Sequence, residues 1–336
     1  MTTALRGRDT GGKRTVVRRK WMIHPMLVAS LLVLSACGGD GQPAGAGTTG
    51  KFPVTVPSCE RTVTIEQPAK RVLTVASDSA TALAAIGAAD LIIARSAEGG
   101  APLGPFEDEL REIPQITTNG EPSREVIIGQ QPDLVISYAG LDTPAADLEA
   151  AGIDSIVPSW RCDQAANLDG IYRTLETYGQ ILGTEDGATK TVANLRSRVS
   201  AVTKQFQGTP ARTAANVYVS ENQIRVYGGP SMSNTVLQTL GLTNVFADVN
   251  KRLTEVSTEE LLARNPDVIL LTFGGSETAI KNGADAERAL RGMTPLDQLT
   301  AVRENRLIAI NFTYLVGGPL TVNGLETIAQ SLAALN

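Results

Sequence analysis

Apolar residues recur at helical spacing between Glu185 and Gln207. Ala188, Val192, Leu195, Val199, Val202 and Phe206 follow one another at steps of four and three, the stripe that a 3.6-residue period produces. The pattern predicts one long amphipathic helix. Asp186 stands in its first turn, Arg196, Arg198 and Lys204 lie further along, and Gly208 with Pro210 ends it, as the helix dipole and breaker rules expect. At about 1.5 Å per residue it runs roughly 35 Å, enough to cross a small domain.

The chain on either side of this helix carries the same pattern twice. Thr81 to Leu91 and Thr235 to Val245 share Thr, Leu, Gly and apolar spacing at a constant offset of 154, and both read as a short helix ended by a glycine, Gly87 or Gly241. Ser123 to Ile136 matches Ser257 to Leu270 at an offset of 134. Each is a helix stopped by Pro-Asp that feeds an apolar strand, and two matches in the same order make a pair of related lobes.

Further runs fill in each lobe. Val63–Ile65, Arg71–Val75, Leu91–Ala94, Leu134–Ser137 and Ser155–Val157 read as strands of the first lobe, with helices at Ser77–Ile86 and Asn167–Leu182. The second lobe reads as strands Asn216–Val219, Gln223–Tyr227, Val268–Thr272 and Leu307–Ile310, with helices Met232–Leu240 and Gly324–Leu335. The strands are apolar runs without alternation, so helices cover both faces of each sheet. The expected class is α/β, with residues 53–162 as the first lobe, 163–210 as connecting helices and 211–336 as the second lobe.

The N-terminus stands apart from this pattern. Arg14, Arg18, Arg19 and Lys20 precede the apolar run Pro25 to Val33, too short for a mature membrane span but suited to a signal-peptide core. Leu34-Ser35-Ala36-Cys37 looks like a bacterial lipobox, in which Cys37 is lipidated after removal of residues 1–36. Gly38 to Gly50, rich in Gly, Ala and Thr, is expected to be a flexible tether ending near residue 52.

Charge changes the picture further. Residues 1–36 hold seven of the 30 Lys and Arg and one of the 35 Asp and Glu, leaving 23 against 34 and a net charge near −11. An acidic body is a poor nucleic-acid binder. The one histidine, His24, leaves with the signal, which weakens Ser-His-Asp catalysis and imidazole metal sites. No G-x-S-x-G elbow, phosphate loop or dinucleotide glycine pattern is present. Cys59 and Cys162 remain, and in an exported protein such a pair most simply forms a disulfide. A two-cysteine metal site is the alternative, though no companion ligands lie nearby.

Two α/β lobes joined by one crossing leave a cleft, and ligands of open α/β sheets sit beyond the carboxyl ends of the strands. That rule selects Ser77, Arg95, Tyr138, Trp160 and Arg161 from the first lobe, and Arg225, Tyr227, Phe312 and Tyr314 from the second. Five of these nine are aromatic in a chain with only 4% aromatic residues. Guanidinium forks pair with carboxylate or catecholate oxygens, and aromatic faces cover apolar surface, so the set points to a sizeable anionic ligand or metal chelate.

The lipobox, Arg71-Val72-Leu73-Thr74 with Ala80-Thr81-Ala82-Leu83 and Gly87, the helix before Gln131-Pro132-Asp133-Leu134-Val135-Ile136, and Gly241-Leu242-Thr243-Asn244-Val245-Phe246 resemble the solute-binding lipoproteins of ABC importers for ferric siderophores, cobalamin and haem. The resemblance spans the chain after the tether. It implies two Rossmann-like lobes on a rigid backbone helix, limited hinge motion, and no enzymatic activity or cofactor. It also implies that Glu125 and Glu259, each seven residues before its Pro, dock into arginine pockets of a membrane permease coupled to an ATPase.

The cargo is expected to be a ferric siderophore, with cobalamin, haem or another large cofactor as the alternative, and bare ferric iron on Tyr138, Tyr227 and Tyr314 behind them. A structural lipoprotein without transport role and an exported hydrolase using a Ser-Lys or paired-carboxylate centre are the rival classes. The chain is expected to act as a lipid-anchored monomer on the outer face of the cell membrane.

Overall fold

The computed structural model describes residues 52–96, 101–117, 121–138, 144–162, 165–220, 223–275 and 279–335. The signal segment, Cys37 and the tether through Gly50 lie outside them. In chain order the first lobe contains β1 (Val54–Ser58), β2 (Arg61–Ile65), β3 (Val72–Thr74), α1 (Ser77–Ala85), β4 (Ile92–Ser96), α2 (Glu107–Arg111), β5 (Gln115–Thr117), α3 (Arg124–Gly129), β6 (Leu134–Ile136), α4 (Ala145–Glu149) and β7 (Asp154–Ile156). Its sheet has the order β5-β4-β3-β6-β7, with all neighbours parallel. β1 and β2 form a separate antiparallel hairpin.

Two helices then connect the lobes, α5 (Leu168–Leu182) and α6 (Glu185–Gln205). The second lobe contains β8 (Arg212–Ser220), β9 (Gln223–Tyr227), α7 (Met232–Thr239), β10 (Leu242–Asn244), β11 (Leu253–Val256), α8 (Thr258–Arg264), β12 (Val268–Phe273), α9 (Gly283–Gly292), α10 (Thr300–Arg303), β13 (Leu307–Asn311) and α11 (Leu320–Ala334). β10, β12 and β13 continue the parallel pairing around β8, while β9 and β11 add an antiparallel ribbon on the other side. The fold is α/β, as the apolar runs predict. α6 stops two residues short of its predicted end, and α11 starts four residues before its predicted start.

The repeat is physical. Gly87 and Gly241 both close their helices in the left-handed region, at φ +75° and +71°, where a side chain is strained. Gln131 and Asn265 also take positive φ, 52° and 36°, immediately before the two Pro-Asp pairs. Each aspartate then reaches the start of the neighbouring central strand. Asp133 accepts from the backbone N–H groups of Lys70 and Arg71 at 2.8 and 2.9 Å. Asp267 accepts from the Thr213 N–H and hydroxyl at 2.8 and 2.7 Å.

Alternate strand residues fill opposite faces of each sheet, so each lobe has a core on both sides. In the first lobe Val72, Leu134 and Ile136 face one core, Leu73, Val75 and Val135 the other. In the second, Leu270 and Ile310 oppose Val217 and Leu271. The stripe on α6 is divided between lobes: Ala188, Val192 and Leu195 pack into the first, Val202 and Phe206 into the second, and Val199 touches both. Thr191 donates to Ala85 O at 2.5 Å on the first-lobe side, and Arg198 forks onto Glu326 of α11 at 2.8 and 2.6 Å on the second. Cys59 at the tip of the β1–β2 hairpin is bonded to Cys162, across 103 residues. Among the described residues no helix is long and apolar enough to cross a membrane.

Candidate functional site

A cavity of about 200 Å³ is lined by Arg161, Tyr218, Arg225, Tyr227, Arg252, Leu253, Gly274, Gly275, Phe312 and Val316. Arg161 comes from the first-lobe end, in a short 3-10 turn of Ser159–Arg161. That turn is held firmly. Pro158 precedes it, the Ser159 hydroxyl bonds to Gly170 O and to Thr174 of α5 at 3.0 and 2.8 Å, and Cys162 follows in its disulfide. The Arg161 guanidinium donates to both carboxylate oxygens of Asp78, at 2.8 and 2.9 Å, and lies 5.7 Å from the ring centre of Tyr138.

The opposite wall is the antiparallel ribbon. Tyr218 of β8 is the Cα partner of Arg225 on β9, whose guanidinium stands 5.6 Å from the Tyr218 ring centre. The Tyr218 hydroxyl donates to Gly274 O at 3.0 Å, at the end of β12. Leu253 pairs with Tyr227 across β9 and β11, and brings Arg252 alongside. Burial pushes the Tyr227 phenol up to about 12, against the smaller opposing pull of Arg252, Arg225 and Arg161, because an anion is costly where water is excluded. Phe312 opens the 3-10 turn after β13, with Asn311 capping the turn by accepting from Thr313.

Of the nine residues selected by the strand-end rule, the cavity brings together Arg161, Arg225, Tyr227 and Phe312. The others go elsewhere. Ser77 starts α1 with its hydroxyl buried and without a hydrogen-bond partner. Arg95 turns inward and donates to Leu110 O at 3.1 Å. Trp160, 1% exposed, packs behind Arg161 and donates to Asp78 at 2.6 Å. Tyr138 is half-buried and donates to Glu121. Tyr314 packs on the second-lobe core against Gly324 of α11. The three phenols Tyr138, Tyr227 and Tyr314 therefore do not meet in one cavity. No group of three or more His, Cys, Asp or Glu able to hold a metal occurs among the described residues.

Tyr218, Arg252, Leu253, Gly274, Gly275 and Val316 were not selected from sequence. Tyr218 lies inside the predicted strand 216–219, where a rule that looks past strand ends does not select it, and Leu253–Val256 is a strand of four residues without an apolar run. The available signal was the Gly274-Gly275 pair directly after the apolar run 268–273, a mark of close backbone approach at a strand end. Glu125 and Glu259 lie on the outer surface, each in the first turn of its helix after a serine cap, Ser123 or Ser257. Backbone N–H groups and the capping hydroxyl hold both carboxyls below their ordinary value.

Two lobes of parallel α/β type on connecting helices, with a cavity at the strand ends, define a bilobed solute-binding protein. The chain belongs to the periplasmic binding protein family, whose model matches residues 72–314. An Fe3+-hydroxamate transport system structure from Saccharomonospora viridis is 32% identical and covers 84% of this chain and 99% of its own, with TM-score 0.75. A cobalamin-binding protein of Halobacterium salinarum is 24% identical over 86% of this chain and 78% of its own length. The ABC transporter substrate-binding lipoprotein YvrC of Bacillus subtilis, itself uncharacterized, is 19% identical over 94% of this chain and 98% of its own.

Proposed function

We propose that the chain is the extracytoplasmic solute-binding component of an ABC importer, anchored in the membrane through a lipidated Cys37, which captures a ferric siderophore in this cavity and delivers it to a permease. One observation carries the reading: Arg161, Arg225 and Arg252 surround a single cavity together with Tyr218, Tyr227 and Phe312. Guanidinium groups donate to hydroxamate, catecholate or carboxylate oxygens, Arg161 through the N–H groups that Asp78 does not take, and the rings cover the apolar chelator backbone. The likeness to the Fe3+-hydroxamate protein supports the same cargo class. The cavity is smaller than the roughly 300–1,000 Å³ of most ligand pockets, which suits a ligand that seats its charged end here and leaves the rest at the cleft mouth.

The protein binds and releases without turnover, as a monomer, with Glu125 and Glu259 as its contacts to the permease. Cobalamin is the second reading, favoured by the relative from Halobacterium salinarum.

The test uses Trp160, the single tryptophan after residue 36, as a fluorophore behind the cavity. The domain from residue 53 onward is titrated with ferric hydroxamate, catecholate and carboxylate siderophores, cobalamin and haemin, with correction for ligand absorption. Saturable quenching by a ferric siderophore below about 1 μM, the range of roughly −8 kcal/mol or tighter, supports the proposal. Saturation by cobalamin alone moves the assignment to the second reading, and a flat response to every compound, matched by calorimetry, removes both.

A further inference from the structure

Asp78 lies in the first turn of α1, 1% exposed. A buried carboxylate is costly unless it is paired and fully hydrogen-bonded. Here one oxygen accepts from the Trp160 indole N–H at 2.6 Å and from Arg161 Nε at 2.8 Å, and the other accepts from Arg161 Nη2 at 2.9 Å. Burial alone would raise its carboxyl, but the Arg161 charge and the hydrogen bonds from Arg161 and Trp160 outweigh burial and hold it below the ordinary value.

The two donors lead in different directions. Arg161 continues into the cavity. Trp160 is pressed by the backbone of the second lobe: a Cβ at Gly317, φ +140°, would stand 2.3 Å from the indole Cγ and Cδ1, and one at Gly318 would stand 3.6 Å from Trp160 Cζ2 and Asp78 Cβ. Only glycine permits the chain to lie on the ring so closely. The residue before them, Val316, lines the cavity.

We propose that Asp78 is a positioning residue for ligand capture, whose single carboxylate sets Arg161 at the cavity and, through Trp160, seats the Val316–Gly318 strap of the second lobe against the first. The assignment rests on the cavity being the ligand site. It gives the sequence-selected Trp160 a role beneath the pocket and not in it.

The experiment compares wild type with Asp78→Asn and Asp78→Glu, reading arginine labelling by phenylglyoxal with peptide mass spectrometry, Trp160 emission, and affinity for the ferric complex that saturates the wild-type chain. In Asp78→Asn, labelling of Arg161 relative to Arg225 and Arg252 in the same sample is expected to rise by about tenfold, and affinity to fall by about tenfold to a hundredfold, the range for lost charge-assisted hydrogen bonds. Trp160 emission moves to longer wavelength, and Asp78→Glu, which keeps the charge, recovers part of the affinity.

Equal Arg161 labelling in wild type and Asp78→Asn overturns the assignment, as does unchanged affinity beside a released Arg161. If Asp78→Asn does not fold, the wild type decides: Arg161 reacts slowest of the three arginines, and comparable rates overturn the proposal. A wild-type chain that binds no complex overturns the function reading alone, and the labelling still decides the fate of Asp78.

Discussion

Tyr227 is under two opposing influences, burial that disfavours its phenolate and three guanidinium groups that favour it, and burial wins. The consequence for stability has a definite sign. The folded phenol titrates near 12 and the unfolded one near 10, so between these values the folded state holds a proton that the unfolded state has lost. Stability is fully present below pH 10 and declines as pH rises through 12. At about 1.4 kcal/mol per unit the decline amounts to roughly 2–3 kcal/mol. Tyr227→Phe is expected to remove this portion of the alkaline loss, measured by urea unfolding at pH 9 and pH 11.5; an alkaline loss equal to that of wild type would reject the assignment. Arg161, Tyr227 and Phe312 reach the cavity as the strand-end rule expects, since each follows or ends a strand that the apolar runs mark, whereas Arg225 reaches it from the middle of β9. Trp160 was not placed correctly by that logic, since chain position cannot tell which of two adjacent side chains turns to the cavity and which turns to a buried carboxylate.

The Pro-Asp pairs act at the scale of the element. In both lobes a helix ends, one residue turns through positive φ, and an aspartate pins the start of the central strand beside the strand it precedes. The Thr213 hydrogen bonds hold the Asp267 carboxyl below its ordinary value of 3.8. Its contribution is therefore complete above that value and is lost as pH falls through the lowered folded one. Asp267→Ala is expected to cost about 1.5–3 kcal/mol at neutral pH, the worth of hydrogen bonds to a charged group, and to show a flatter acid limb than wild type in urea midpoints between pH 5 and pH 2. A midpoint within error of wild type would show that the staple is idle. This grammar was readable in the sequence because helix, breaker and apolar strand alternate at recognisable periods. The β9–β11 ribbon was only half readable. Gln223–Tyr227 is a visible run, but Leu253–Val256 has four residues with mixed polarity, too few for either period to show, and so Arg252 passed unnoticed. Pairing across a sheet depends on residues 26 apart in sequence, Tyr227 with Leu253, and no local pattern encodes that.

At the scale of the molecule, α6 carries one apolar stripe that two cores share, and its polar ties fasten it to Ala85 on one side and to Glu326 on the other. A continuous helix resists bending because each turn is hydrogen-bonded to the next, so the lobes are expected to keep a nearly fixed separation and to present their outer surfaces in a set geometry. Glu125 and Glu259 occupy matching places on those surfaces, one per lobe, each exposed and kept ionised by a helix N-terminus. Two fixed anions on a strongly acidic body suit a basic receptor, where complementary charge governs encounter and register more than it governs cargo binding. Charge reversal at both, Glu125→Lys with Glu259→Lys, is therefore expected to abolish uptake of an iron-55-labelled siderophore by cells that depend on this chain, while the affinity of the purified protein for the same complex stays unchanged. Each single reversal leaves reduced uptake that weakens further as salt is added, because surface charge pairs are screened within about 10 Å at 0.1 M. A parallel loss of affinity and uptake in the double variant would show that these glutamates support the fold of the lobes and not a contact with the permease.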